Sequence, residues 1–238
     1  MKTKDKLSTV DKYRFLAPIY DYLASLVLGK AFHESKKTFL EIIQPGDTVW
    51  VIGGGTGAIL PEILKRCGKN GKIIYMEASN KMLEKAKGRV SLDCQSRVEF
   101  ICSEDFGLPN EGEIDVVITQ FLLDVLTDHS INSLFQRVKQ KVSPSTSWLF
   151  LDFYPVKDKQ WLIHLMITSF SLLAKHPRKE LPDYDKFFKN WDWGEKKAVS
   201  FEALSLSAKG YQIRNDLFKI IPIIRTIKIH IPRFIVIT

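Results

Sequence analysis

Cysteine is scarce in this sequence, and what little there is carries no pattern. Cys67, Cys94 and Cys102 are odd in number and lack CxxC spacing, so neither a disulfide framework nor a zinc site is expected. Long apolar runs are missing too. The longest, "WLIHLMITSFSLLA" (Trp161–Ala174), is too short for a bilayer crossing, which takes about 20 residues. The opening "MKTKDKLSTVDK" has no apolar core of a secretion signal, so a cytoplasmic location is expected. Lys and Arg outnumber Asp and Glu by 35 to 27, a net +8, which favours anionic partners in general. No cluster of Lys and Arg is interleaved with aromatics along one segment, so nucleic-acid binding is not expected. None of the five histidines stands at metal-ligand spacing from another His or a Cys, and no Ser–His–Asp signature is present. His164 and His176 are of note only because they fall in a Trp- and Phe-rich segment.

What is present is an alternation of strands and helices. Residues 7–44 read as helix from apolar spacings such as Leu23, Leu26, Val27 and Ala31. The "PGD" turn leads into a first strand, "TVWVIG", and a helix from about Gly57 tolerates Pro61 in its first turn. "GKIIYMEAS" reads as strand two, followed by a helix capped by Ser79. "RVEFICSED" and "EIDVVITQF" are strands three and four, "DHSINSLFQRVKQKV" is a helix, and "SWLFLDF" is strand five. Continuously apolar strands alternating with helices indicate a parallel sheet covered on both faces. Residues 155–197, rich in Trp, Phe and Lys, read as a helical insert, and "SFEALSLSAKG" as a helix closing at Gly210. The tail from Tyr211 reads as two antiparallel strands, in which Pro232 requires a bulge or an interruption.

The stretch "VWVIGGGTGAIL" packs four glycines into five positions between a strand and a helix. Glycines there let the chain turn sharply and let a ligand approach the backbone, while the helix start offers N–H groups to an anion. "GGGTGA" satisfies G-x-G-x-x-A from Gly53 and Gly55 to Ala58, and Glu77 follows at the distance of a ribose-binding acid. On these residues a nicotinamide dehydrogenase and an S-adenosyl-L-methionine (SAM) enzyme both remain open, as does a tight turn with no ligand.

A longer run chooses between them. In order and spacing, "YRFLAPIYDYL", "VWVIGGGTG", "IIYMEASNKMLEKAK", "FICSEDFGLP", "DVVITQFLLDVLTD" and the run ending "WLFLDF" resemble class I SAM-dependent methyltransferases. Within these, the chain resembles the branch of the ubiquinone/menaquinone-biosynthesis methyltransferases. The resemblance spans about Tyr13 to Phe153. It implies a Rossmann-like α/β fold: a seven-stranded, mostly parallel sheet with a C-terminal antiparallel hairpin and a helical insert. The whole of 1–238 would be one domain, with 1–44 an N-terminal helical cap and 155–197 an insert or lid.

The resemblance also assigns roles. Gly53, Gly55 and Gly57 would form the loop under the methionine part of SAM, and Glu77 would accept from both ribose hydroxyls. Ala78 and Met82 would flank the adenine, and Asp105 would accept its amino group beside Phe106, with Glu104 a competitor for that role. Gln120 and Phe121 would line the sulfonium end, and Tyr20 would close over the cofactor. One position departs from the pattern. Val51 stands where the family usually carries an acid, which implies weaker cofactor binding or a replacement acceptor such as Asp124 or a backbone carbonyl. The same departure keeps open a SAM-binding protein without turnover. The Trp- and Phe-rich insert and the basic chain point to a small apolar or aromatic acceptor; no metal is expected, and no residue is nominated as base. The insert's run from Trp161 is a candidate for peripheral contact with a membrane surface, and oligomeric state is left open.

Overall fold

The computed structural model describes residues 33–107, 113–154, 180–201 and 206–213. These hold strands β1 (Thr48–Ile52), β2 (Lys72–Glu77), β3 (Val98–Cys102), β4 (Ile114–Gln120), β5 (Val142–Phe153), β6 (Trp193–Phe201) and β7 (Leu206–Ile213). Four α-helices accompany them: α1 (Leu60–Cys67), α2 (Asn80–Lys87), α3 (Asp128–Lys139) and α4 (Tyr184–Asn190). The seven strands form one sheet in the order β3-β2-β1-β4-β5-β7-β6. Pairings among β1 to β5 are parallel, and β7 runs antiparallel to both β5 and β6. The expected seven-stranded, mostly parallel sheet with an antiparallel pair at its C-terminal side is therefore present.

Strand periodicity distributes the core. Val49 and Val51 of β1 pack on one face with α1 and α2, through Leu60, Ile63, Leu83 and Ala86. Trp50 and Ile52 point to the other face, where Ile131, Leu134 and Phe135 of α3 and Tyr184 and Phe188 of α4 cover them. The second face is markedly aromatic. Phe188 stacks on Tyr211 at 3.7 Å between ring centres, and Trp148 meets Phe188 and Trp193 edge-on. Helix starts follow the sequence cues: Pro61 lies in the first turn of α1, and the Ser79 side chain accepts from the Met82 N–H to cap α2.

Several expectations need correction. The expected helix over 7–44 does not reach 44. Residues 33–35 are helical, Phe39 adopts φ 66°, and Leu40–Ile42 form a short 3₁₀ turn, because a left-handed residue cannot continue an α-helix. Residues 1–32 lie outside the described residues. Helix α1 starts at Leu60 rather than near Gly57, whose φ of +77° belongs to the turn. Strand β5 begins at Val142. Its register against β4 shifts between Val142 and Ser147, a stretch that holds Pro144, which cannot donate to the ladder.

The largest correction concerns the C-terminal pair. Of "SFEALSLSAKG", expected as helix, Ser200 and Phe201 instead end β6 and Leu206–Gly210 lie in β7, while 202–205 lie outside the described residues; 193–197, expected within the insert, open β6. The apolar spacing of Phe201, Leu204 and Leu206 imitates a helix. The β5 edge decides otherwise, pairing with β7 continuously from Phe153↔Leu206 to Ser147↔Gln212. The insert residues 155–179 and the tail 214–238, including Pro232, lie outside the described residues.

Candidate functional site

In a parallel sheet all strands deliver their carboxyl ends to one edge. Here the order reverses between β1 and β4, the place where α/β sheets open a crevice for ligands. The glycine turn stands at that place. Gly53 and Gly54 both donate to the Met76 carbonyl, at 2.9 and 3.3 Å, which ties the turn to β2. Gly53, Gly55 and Gly57 have φ of +66°, +64° and +77°. A side chain at Gly57 would collide with Ala86 of α2 at 2.8 Å, so this glycine is needed for helix packing as well as for its angle. Among the described residues nothing lies within 4 Å of where a side chain at Gly55 would stand, so none of them covers the turn on that side.

Glu77 ends β2 beside this opening, with only 8% of its surface exposed. Its Oε2 accepts from the Gly55 N–H at 2.9 Å and its Oε1 from the Ser79 N–H at 2.8 Å. The carboxylate is thus held between the glycine turn and the start of α2. Ala78 and Met82 follow on the same side: the Ala78 carbonyl accepts a weak bond from the Cys102 thiol at 3.6 Å, and Met82 lies in the first turn of α2. Val51, where the resemblance expects an acid, is buried in the core, paired with Tyr75 on one side and Ile118 on the other.

The remaining nominated residues are placed less uniformly. Asp105 is exposed and turned toward α3, where Arg137 pairs with it at 3.3 Å. Phe106 packs against the aromatic face, as does Leu122, whose side chain lies under Gly53. The Gln120 amide donates to the Lys36 carbonyl at 2.6 Å, tying the chain before β1 to the end of β4. Phe121 has φ 54°, donates its N–H to Leu151, and sets its ring 5.2 Å from Phe153 with the Lys36 ammonium 5.6 Å away. Tyr20 lies outside the described residues.

Two residues central to this edge were not singled out from sequence. Tyr75, on β2, donates its hydroxyl to the Gly55 carbonyl at 3.0 Å. Asp152, near the end of β5, is fully buried. Its Oδ2 accepts from Leu123 and Asp124 N–H at 3.1 and 3.3 Å, and its Oδ1 from Phe153 N–H at 2.8 Å. Burial, and next the nearby Asp124 charge, hold the Asp152 carboxyl well above the usual carboxylate range, against the pull of those three N–H bonds. Asp124 therefore faces a second carboxylate. Tyr184 completes the group: burial first, then the charges of Asp152 and Asp124, push its phenol upward. Its hydroxyl has no hydrogen-bond partner among the described residues. An acid inside an apolar strand run ("LFLDF") was the available signal for Asp152. For Tyr75 there was none, since a tyrosine in a buried strand reads as core.

Among the described residues no group of His, Cys, Asp and Glu is arranged to hold a metal ion, and no helix is long and apolar enough to cross a membrane.

Residues 49–145 match the family described as a methyltransferase domain. A comparison with curated protein sequences found no match. Among solved structures the chain is similar to a SAM-dependent methyltransferase from Aquifex aeolicus, with TM-score 0.58 and 17% identity over 88% of this chain and 100% of that one. It is also similar to the DhpI–SAH complex, with TM-score 0.62 and 15% identity over 87% of this chain and 95% of that one. Human N-acetylserotonin methyltransferase, solved with SAM, gives TM-score 0.57 and 18% identity over 87% of this chain but 57% of that one. At these identities the likeness establishes the fold.

Proposed function

We propose that the chain is a SAM-dependent methyltransferase acting on a small apolar or aromatic acceptor. The observation that carries this reading is the pairing of a bare glycine turn with a buried acid. Gly55 opens its backbone to the crevice, and Glu77 is fixed beside it by the Gly55 and Ser79 N–H groups. That arrangement fits the cofactor. The two oxygens of a carboxylate suit the vicinal diol of a ribose, and the open turn admits a methionine chain against the backbone. The methyltransferase-domain match over 49–145 covers both features. The antiparallel β7 stands where a dinucleotide dehydrogenase would more often continue with a second parallel half, which weighs against a nicotinamide cofactor. Placement in the ubiquinone/menaquinone-biosynthesis branch rests on the motif run from Tyr13 to Phe153.

When bound, SAM supplies a methyl group already activated on a sulfonium. What this chain adds is alignment and exclusion of water. Gly53, Gly55 and Gly57 seat the methionine end, Glu77 orients the ribose, and Ala78 and Met82 flank the adenine. Asp105, whose Oδ1 pairs with Arg137, would accept from the adenine amino group. Phe121 and Gln120, at the end of β4, border the sulfonium side, where an aromatic face favours a cation modestly. The apolar acceptor is suggested by the Trp- and Phe-rich composition of 155–197, and the run from Trp161 by its composition also suits a membrane surface.

The test is turnover. Purified protein incubated with SAM and a panel of quinols, phenols and other apolar acceptors should release S-adenosylhomocysteine (SAH) with at least one of them. Binding of SAM without SAH release across the panel would favour the non-catalytic reading that Val51 motivates. Binding of NADH in place of SAM would overturn both.

A further inference from the structure

The glycine turn is held from beneath by two side chains of β2. Tyr75 and Glu77 are two residues apart on one strand and so point to the same face. Glu77 takes the N–H of Gly55 and Tyr75 takes its C=O, at 2.9 and 3.0 Å. The Tyr75 ring lies so close under the turn that a side chain at Gly54 would meet it at 2.3 Å. Neighbouring carbonyls are tied as well: that of Gly54 accepts from the Gly57 N–H at 3.4 Å, and that of Thr56 from the Arg89 guanidinium at 2.8 Å. Three successive carbonyls are thus turned to partners within the protein. On β1, at the same level of the sheet, Val51 is the register partner of Tyr75 and is apolar. Its side chain can offer the turn no hydrogen bond.

We propose that Tyr75 is a positioning residue for the cofactor turn, its hydroxyl supplying from β2 the polar support that Val51 does not give from β1. The inference rests on the SAM reading of the site. By orienting the Gly55 carbonyl, Tyr75 sets the shape of the backbone that receives the methionine end, and the adenosine end depends on Glu77 and α2 instead. A neutral hydrogen bond contributes about 1 kcal/mol net, or about fivefold in an equilibrium constant.

Tyr75→Phe keeps the ring that fills the core and removes only the hydroxyl. Binding of SAH and of adenosine would be measured by calorimetry or competition on wild type and variant, with thermal unfolding of the ligand-free proteins as the control of folding. The expected result is SAH affinity lower by roughly three- to tenfold, with adenosine affinity within about twofold of wild type. SAH affinity within twofold of wild type would overturn the inference. So would parallel losses for SAH and adenosine, because a merely structural tyrosine would not discriminate between the two ends. Wild-type protein that takes up no SAH would sink the functional reading itself, and the inference with it.

Discussion

The two sides of the crevice are built around one buried acid each, and the contrast between them is instructive. On the β1–β2 side, Glu77 joins the glycine turn to the cap of α2 and stands beside the opening above Gly55. On the β4–β5 side, Asp152 joins the turn after β4 to the end of β5, but it is sealed, with a second carboxylate at Asp124 and the phenol of Tyr184 close by. Both acids accept backbone N–H groups, so both fix loops. The difference lies in what surrounds them. Glu77 borders a turn that no described residue covers above Gly55, which suits a ligand, whereas Asp152 is placed in the aromatic half of the molecule, where burial makes its charge costly.

The largest effect that would sharpen this comparison belongs to the glycine side. Gly57→Ala combines a left-handed angle with a backbone collision against Ala86, and should cost about 3 kcal/mol in urea unfolding. Gly55→Ala has a similar angle but open space, and should cost about 1–2 kcal/mol. Equal losses at the two positions would mean that the space over Gly55 is not open in solution.

A smaller effect, with a sign that tests the other side, is expected at Asp152. Its folded-state carboxyl is held above the unfolded value, so as pH rises past about 4 the unfolded chain gives up this proton first. The group's contribution to stability is therefore fully present below that pH and is lost as pH rises through the folded value. Asp152→Asn cannot titrate there. It should cost about 1–2 kcal/mol near pH 4, from poorer acceptance of three N–H groups, and the gap to wild type should narrow as pH rises. A gap that stays constant or widens would show that Asp152 is not held protonated by its surroundings. The smallest effect concerns Asp105, whose pair with Arg137 is solvent-exposed. Asp105→Ala should change unfolding stability by less than about 0.5 kcal/mol, while weakening SAH binding if the carboxylate does reach the adenine.

Legibility in the sequence divides along the same line. Strands β1 to β4 are short, continuously apolar and bounded by turn residues, and Ser79 announces the start of α2, so that side of the sheet could be read from residues alone. β6 and β7 could not. Lys209 shares one face of β7 with Ser207 and Tyr211, and its ammonium is half-buried between Asp185 and Glu195, at 2.8 Å from each. A lysine so placed reads as a solvated helix face until β5 is seen to claim the strand. The same limit applies to Tyr75. Its hydroxyl acquires a role only when the turn from β1 folds over it, a juxtaposition of residues 20 apart that no local pattern encodes. Asp105 reads from sequence as part of a polar loop, and its partner Arg137 on α3 is invisible there for the same reason.

On the proposed reading, Glu77 and the glycine turn hold SAM. Calorimetric titration of the purified protein with SAH, repeated on Glu77→Ala, tests it most directly. The expected result is a Kd on the order of 1–100 µM for the wild type and loss of measurable binding in the variant. SAH binding that is unchanged in Glu77→Ala would contradict it, since the ligand would then be held somewhere other than at the end of β2.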